Sequence, residues 1–156
     1  MAKLPAGDIV VDASLLIGIA TRDADALRFM SVLSRSVATS VNFGEVIYKL
    51  NQKANKSPGE TEQAFRNALG VRVDAVDLAV VRHFADLKKV DAASRRAQQS
   101  DGVNPVKSLS LADMTCLAYG LESGLPVLTG DAHWSTLRLH GLGVDVYDFR
   151  DGRLTA

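Results

Sequence analysis

Short β-branched segments alternate with helix-length segments along most of the chain, and this alternation constrains the fold more than any other feature. Strands are predicted at residues 8–12, 36–40, 71–73, 126–129 and 144–147. Strands that are separated by helices need crossover connections, which favour parallel pairing. The sequence therefore predicts an α/β fold of three α/β/α layers, with a central, mainly parallel sheet of about five short strands.

The segments between these strands have the apolar spacing and the end signals of helices. Phe43, Val46, Ile47 and Leu50 show the i, i+3, i+4, i+7 pattern. Helices are predicted at 23–35, 43–55, 57–70, 77–90 with a kink before 91–100, 110–123 and 133–139. No repeat or linker divides the chain, so we expect a single domain over residues 1–156 with its core at about 9–150.

Composition excludes several classes of protein. The chain has 156 residues, of which 47% are hydrophobic and 23% charged, and this balance is typical of a folded globular domain. Cys116 is the single cysteine, so neither an internal disulfide nor a common zinc motif can form. No apolar run is long enough to span a membrane and no signal peptide opens the chain, so we expect a cytoplasmic location without membrane contact.

Net charge limits how the protein could attract nucleic acid. Eighteen Lys and Arg residues balance eighteen Asp and Glu residues, which gives a formal net charge of zero. No strong overall field for a polyanion follows from that balance. An RNA or DNA partner would therefore need local basic patches or a bound metal ion.

Four acidic residues fall where strands end or where the following helices begin. Asp12 ends the first strand, Asp131 follows the fourth, and Glu45 and Asp113 lie in the first turns of helices. In α/β folds these positions face the carboxyl edge of the sheet, where active sites lie. The four carboxylates could therefore converge on one cleft.

Each acid also has a structural explanation. Asn42-x-x-Glu45 and Ser110-x-x-Asp113 resemble capping boxes, and Asp131 could cap the short helix that follows it. Asp12 is the exception, because a carboxylate at the end of an apolar strand is desolvated unless it is paired or bound to metal. If the acids converge, a hard divalent cation such as Mg²⁺ would offset their repulsion and leave sites for phosphate oxygens.

Four segments resemble the acidic motifs of PIN-domain ribonucleases, in the right order and context. The matching segments are Val10-Val11-Asp12-Ala13-Ser14, Asn42-Phe43-Gly44-Glu45-Val46, the segment from Ser110 to Ala118 around Asp113, and Val127-Leu128-Thr129-Gly130-Asp131-Ala132-His133-Trp134. Length and spacing are most similar to VapC-type toxins of toxin–antitoxin pairs, over about residues 9–150. The resemblance implies a Mg²⁺- or Mn²⁺-dependent endoribonuclease that hydrolyses RNA and that a cognate VapB-type antitoxin silences.

The resemblance also assigns roles by position. Asp12, Glu45, Asp113 and Asp131 would form the catalytic, metal-binding set, with Asp12 and Asp113 as the direct ligands. The other two acids would act through water, bind a second ion or position the attacking water. Thr129 matches a hydroxyl that orients the site, and Ser14 is expected to do the same. Members of the family usually dimerise, so a homodimer is expected.

Basic residues near the acids are candidate RNA contacts, but they also have ordinary explanations. Lys49 and Lys53 could guide phosphates, or they could lie on a solvated helix face with Lys49 paired to Glu45. His133 stands where the family more often has Arg or Lys, and it is a third candidate. Cys116 lies among apolar residues and is expected to be buried, as is Trp134.

The alternative to an enzyme is a catalytically silent PIN-like module that binds a protein or RNA. The two hypotheses differ in whether the protein needs the four carboxylates for its activity. A binding module would tolerate Asp12→Asn, whereas a nuclease would lose RNA cleavage and keep its fold.

Overall fold

Five parallel strands form the central sheet in a computed structural model, which describes residues 2–156. These strands are β2 (Ile9–Val11), β3 (Ser36–Thr39), β4 (Arg72–Asp74), β5 (Val127–Thr129) and β6 (Val146–Asp148). Their spatial order is β4-β3-β2-β5-β6, and every neighbouring pair is parallel. Two further segments, β1 (Ala2–Lys3) and β7 (Leu154–Thr155), pair with each other outside this sheet. The predicted α/β class and the parallel five-stranded sheet are confirmed.

Helices connect the strands and cover both faces of the sheet. They are α1 (Ala13–Ala20), α2 (Ala24–Leu27), α3 (Ser40–Ala54), α4 (Pro58–Glu62), α5 (Leu78–Val81), α6 (Phe84–Ser100), α7 (Leu111–Ser123) and α8 (Ala132–Thr136). Shorter turns of 3₁₀-helix span Met30–Arg35 and Leu139–Leu142, and a π-helical turn spans Gln63–Ala68. None of the helices within residues 2–156 combines the length and hydrophobicity that a membrane crossing requires.

Successive residues of each strand pack into opposite layers, because side chains alternate across a sheet. In β2, Ile9 and Val11 pack against α1 and α3, whereas Val10 packs into the layer that α6 and α7 supply. All three side chains are fully buried, and each such burial stabilises the fold by about 1.5–3 kcal/mol. These two apolar clusters are the physical basis of the three predicted layers.

Two predicted helices have different boundaries in the structure. Residues 23–35 form the short helix α2 followed by 3₁₀-helix, because the buried residues Ala26, Phe29 and Val32 recur every three positions. The kink expected between Val90 and Asp91 is absent from α6, and the break lies instead between α5 and α6, at residues 82–83.

The arrangement of strands creates a crevice beside β2. From β2 the chain adds β3 and β4 on one side, and it later adds β5 and β6 on the other. The strand order therefore reverses between β2 and β5, and ligands bind at the carboxyl ends of strands at such a switch point. Asp12 directly follows β2, and Thr129 ends β5. These two residues mark the candidate site.

Candidate active site

Asp12 is the most buried acid of the predicted set. Its backbone N–H donates to the Leu128 carbonyl at 3.1 Å, which continues the pairing of β2 with β5 past the end of the strand. The residue is 6% exposed, and its side chain makes no capping hydrogen bond to α1. The capping explanation therefore does not apply to Asp12.

Two hydroxyl groups orient the Asp12 carboxylate. Ser14 Oγ and Thr129 Oγ1 each donate a hydrogen bond of 2.7 Å to Asp12 Oδ2. The same two oxygens accept from the backbone after β5, where Gly130 N–H reaches Ser14 at 2.9 Å and Asp131 N–H reaches Thr129 at 3.0 Å. Because each hydroxyl oxygen accepts from a backbone N–H, its own proton is directed at the carboxylate. Both hydroxyl bonds go to Asp12 Oδ2 and none to Oδ1.

Asp113 lies at the start of α7, and the local sequence fixes its carboxylate. Ser110 N–H donates to Asp113 Oδ2 at 2.8 Å, and Asp113 N–H donates to Ser110 Oγ at 3.1 Å. These reciprocal bonds form the capping box that the sequence predicts. Capping and a site role are compatible here, because Asp113 Oδ1 accepts no hydrogen bond from the described residues.

Asn42 joins α3 to the turn of α7 that carries Asp113. Its side-chain Nδ2 donates to the carbonyl of Ala112 at 3.1 Å, and its Oδ1 accepts from the Thr39 hydroxyl. The expectation that Asn42 caps α3 is wrong, because Thr39 is the N-cap and accepts from the Asn42 N–H. Asn42 is instead 1% exposed and positions the backbone next to Asp113.

The remaining two acids lie in α3 and at the start of α8. Glu45, in α3, is about one-third exposed and pairs with Lys49 at 3.3 Å. Asp131 caps α8, where its Oδ1 accepts from His133 N–H at 2.9 Å. Both structural explanations, the helix ion pair and the cap, are thus seen in the molecule.

Charge interactions link the four acids in pairs: Asp12 with Glu45, and Asp113 with Asp12 and Asp131. Burial raises the pKa of Asp12, the hydrogen bonds from Ser14 and Thr129 lower it, and the charge of Glu45 raises it further. Burial also raises the pKa of Asp113 to about 6, against the hydrogen bonds from Ser110, and the charges of Asp12 and Asp131 add to the increase. Repulsion from neighbouring carboxylates thus adds to the effect of burial at both Asp12 and Asp113.

The donor set suits a hard cation more than any other group. All four candidate ligands are carboxylates, which Mg²⁺ and Mn²⁺ prefer, and their mutual repulsion favours a positive ion between them. Within residues 2–156, no three His, Cys, Asp or Glu side chains lie close enough together to form a ready-made metal cage. Two carboxylates with water in the remaining positions are a usual way for a protein to hold Mg²⁺, and Asp12 and Asp113 would be the residues to supply them.

Four other residues singled out in the sequence have contrasting surroundings. Lys53 is exposed on α3, as a phosphate contact would require. His133 is only 7% exposed, and its Nε2 has no partner among the described residues, so its ring offers little surface to an RNA. Trp134 and Cys116 are buried as predicted, and burial raises the pKa of the Cys116 thiol well above its ordinary value. A nucleophilic role for Cys116 is therefore unsupported.

Comparison with known proteins assigns the family. The family model of the PIN domain matches residues 9–138, which include all four acids. This chain belongs to the PIN domain family. The fold of this PIN domain is similar to that of DNA-bound VapBC from Salmonella typhimurium, with 15% identity, a TM-score of 0.60, and coverage of 92% of this chain and 98% of that one.

Two mycobacterial structures share the same fold. VapC20 of Mycobacterium tuberculosis, described as a toxin that cleaves the sarcin–ricin loop, is 22% identical with a TM-score of 0.54. The matched region covers 83% of this chain and 94% of VapC20. VapBC-5 from the same organism is 19% identical with a TM-score of 0.56, and the matched region covers 92% of this chain and 99% of that one. No curated protein sequence matches the chain.

Two residues of this PIN domain site were not predicted from sequence to have a role in it. Asn42 could have been found from sequence, because it lies inside one of the matching motifs, but its spacing to Glu45 suggested a helix cap. Arg150, two residues after β6, carried no local signal at all. Only the sheet order brings its guanidinium beside Gly130, where a Cβ added to the glycine would lie 3.2 Å from Arg150 Nε.

Proposed function

We propose that this PIN domain is a metal-dependent endoribonuclease toxin of the VapC type. The observation that carries the proposal is the pair of hydroxyl contacts that orients buried Asp12 next to the electrostatically coupled Asp113. A site built only for stability would not concentrate carboxylates that raise each other's pKa. The similarity in fold to VapBC structures supports the toxin assignment.

Each side chain has a role in this proposal. Asp12 and Asp113 would hold a Mg²⁺ or Mn²⁺ ion, and Glu45 and Asp131 would bind through water, hold a second ion or orient the attacking water. The ion would supply Lewis-acid stabilisation of the phosphate and a water of lowered pKa. The hydrogen bonds from Ser14 and Thr129 favour the ionised form of Asp12 against the effect of burial and fix its orientation, and the capping box fixes Asp113. Lys49 and Lys53 would contact the RNA backbone along α3.

Partners follow from the same assignment. A VapB-type antitoxin would silence the enzyme, since several structures of similar fold are VapBC complexes. A basic side chain of such an antitoxin could enter the acidic site and pair with its carboxylates. We also propose that the PIN domain acts on cytoplasmic RNA and forms a homodimer, as the family resemblance implies.

The decisive experiment is incubation of the purified protein, freed of any antitoxin, with a mixed pool of cellular RNAs in Mg²⁺, in Mn²⁺ and in EDTA. The proposal predicts cleavage with either metal and none in EDTA. Attack by water leaves no 2′,3′-cyclic phosphate at the new ends, and analysis of these ends separates the activity from a contaminating metal-independent ribonuclease.

A catalytically silent PIN module is the second candidate. It is favoured by the absence, within residues 2–156, of three metal-ligating side chains close enough to form a cage. Metal-independent RNA binding without cleavage of any RNA in the pool would support this second function and contradict the first.

A further inference from the structure

A single arginine lies at the edge of the carboxylate site without belonging to any of its motifs. Arg150 follows β6, and its N–H donates to Asp148 Oδ1 at 2.8 Å. The preceding residue, Phe149, donates its N–H to the Thr129 carbonyl at 2.9 Å, which extends the pairing of β6 with β5. The sheet register therefore brings Arg150 to the same edge as Thr129.

The guanidinium lies against the turn that completes the site. A Cβ added to Gly130 would be 3.2 Å from Arg150 Nε, so the guanidinium covers the glycine between Thr129 and Asp131. Gly130 N–H donates to Ser14, which in turn donates to Asp12. Arg150 is thus a cation beside the turn whose backbone supports the Asp12 carboxylate through Ser14.

Neighbouring side chains hold this guanidinium in one orientation while leaving part of it free. The Arg150 guanidinium carbon is 5.0 Å from the centre of the Phe149 ring, a cation–π contact. One nitrogen, Nη1, donates to Asp23 Oδ2 at 2.9 Å and lies 3.9 Å from Asp25 Oδ2. Nε and Nη2 have no acceptor within residues 2–156, and 44% of the side chain is exposed. The free edge of a planar guanidinium is suited to bidentate binding of a phosphate.

We propose that Arg150 binds an RNA phosphate adjacent to the metal-binding carboxylates, a role that rests on the proposed nuclease function. Lys49 and Lys53 lie on α3, on the other side of β2, so Arg150 would contact a different part of the substrate backbone. The RNA would then be held from both sides of the Asp12 crevice. Arg150 is in this view a substrate-binding residue.

The competing explanation is that Arg150 only links β6 to α2 through Asp23. The two explanations make opposite predictions for Asp23→Asn, which keeps an amide oxygen to cap α2 but removes the charge of the ion pair. A structural link predicts the same loss of RNA affinity for Asp23→Asn as for Arg150→Met. A phosphate contact predicts unchanged or tighter RNA binding for Asp23→Asn, because a negative charge is removed beside the free cation.

RNA binding, measured independently of cleavage, tests the inference. The probe is a fluorescein-labelled random-sequence RNA of about 12 nucleotides, within the usual size of single-strand sites. It is titrated by anisotropy with the Asp12→Asn protein at fixed Mg²⁺ and several KCl concentrations. Arg150→Met in this background is expected to weaken binding by about 5- to 10-fold and to reduce the slope of log K against log salt by about 0.7. Arg150→Lys should restore the slope but not the full affinity.

The matched control is Arg153→Met, which removes an 84% exposed arginine that is likewise paired to an aspartate. Its slope and affinity are expected to equal those of the parent. Equal slopes for Arg150→Met and the parent, or no RNA binding by the parent, would overturn the inference. If the slope decreases but the wild-type protein cleaves no RNA in any metal, the phosphate contact stands and the nuclease proposal fails.

Discussion

Asn42 in α3 donates a hydrogen bond of 3.1 Å to the carbonyl of Ala112, the residue directly before Asp113. The same amide accepts from the Thr39 hydroxyl, so one buried side chain connects the end of β3 to the first turn of α7. The positions of the acids therefore depend on contacts between elements that are distant in sequence, as well as on the caps of individual helices.

Asn42→Ala tests this connection. The substitution leaves the buried Thr39 hydroxyl without its acceptor and removes one donor from the Ala112 carbonyl, which costs about 1–3 kcal/mol of unfolding free energy. It also removes the contact that fixes the turn carrying Asp113. The cleavage rate should therefore decrease by a larger factor than the fraction of folded protein does. Urea unfolding and RNA cleavage at low denaturant measure the two effects. Asn51→Ala, which removes an exposed amide from the same helix, should change stability by less than about 0.5 kcal/mol.

The raised pKa of Asp113 predicts an unusual pH dependence of stability. In the folded protein the carboxyl holds its proton up to about pH 6, whereas its ordinary pKa in the unfolded chain is 3.8. Between these values the folded state binds more protons, so the unfolding free energy must decrease as pH increases through this window. Urea unfolding in EDTA should show that decrease, and Asp113→Asn should diminish it and stabilise the protein above pH 6.

Asp8→Asn is the control for that experiment, because it removes a carboxylate just before the amino end of β2. The Asp8→Asn protein should show the same decrease of unfolding free energy with increasing pH as the wild type. Added Mg²⁺ should stabilise the wild-type protein at neutral pH but not the Asp113→Asn variant, since an ion that binds only the folded state stabilises it. Identical pH profiles for Asp113→Asn and the wild type would show that Asp113 is not the group under repulsion.

Gly130 can be tested through steric fit. A Cβ at this position would lie 2.4 Å from Phe149 Cζ, and the Phe149 ring is fully buried. Gly130→Ala therefore forces the ring or the turn to move, which should cost about 1–3 kcal/mol. Because the Gly130 N–H supports Ser14, cleavage should decrease as well. Gly44→Ala meets no atom within 4 Å and lies inside α3, so it should stabilise the fold by about 0.5–1 kcal/mol.

The hydroxyl of Thr129 lowers the pKa of Asp12, so its removal should have a visible pH signature. Thr129→Val keeps the side-chain shape but removes the donor, which raises the pKa of Asp12 further. Since metal ligands must be deprotonated, the acidic limb of the cleavage–pH profile should move to higher pH. Metal affinity at neutral pH should decrease by about 10- to 100-fold. Thr129→Ser restores the donor and should restore the cleavage–pH profile. If the Thr129→Val protein had the same profile as the wild type, this role of Thr129 would be contradicted.

The strands could be predicted from local apolar patterns, and their parallel pairing from the helices that separate them, but their order in the sheet could not. The acids could be placed at one edge because parallel strands share a carboxyl edge. Helix α1 was not predicted, since Ala13, Leu15, Leu16, Gly18 and Ile19 are all buried and leave no polar face to reveal a helical period.

Contacts between distant segments account for what the sequence could not predict. Asp91 suggested a helix start, but it lies buried inside α6, where its carboxylate accepts from Leu109 N–H at 2.8 Å. Asn42 and Arg150 are similar cases, because their partners lie 70 and 127 residues away in sequence. No periodicity or short motif contains such information.

Cleavage by Asp12→Asn, compared with Asp8→Asn, tests the central claim most directly. Both variants remove one carboxylate next to β2, but Asp8 precedes the strand and pairs with Arg72, whereas Asp12 follows it in the candidate site. With Mg²⁺ and the mixed RNA pool, Asp12→Asn should abolish cleavage while circular dichroism shows an intact fold, and Asp8→Asn should cleave like the wild type. Cleavage by Asp12→Asn at the wild-type rate would contradict the account.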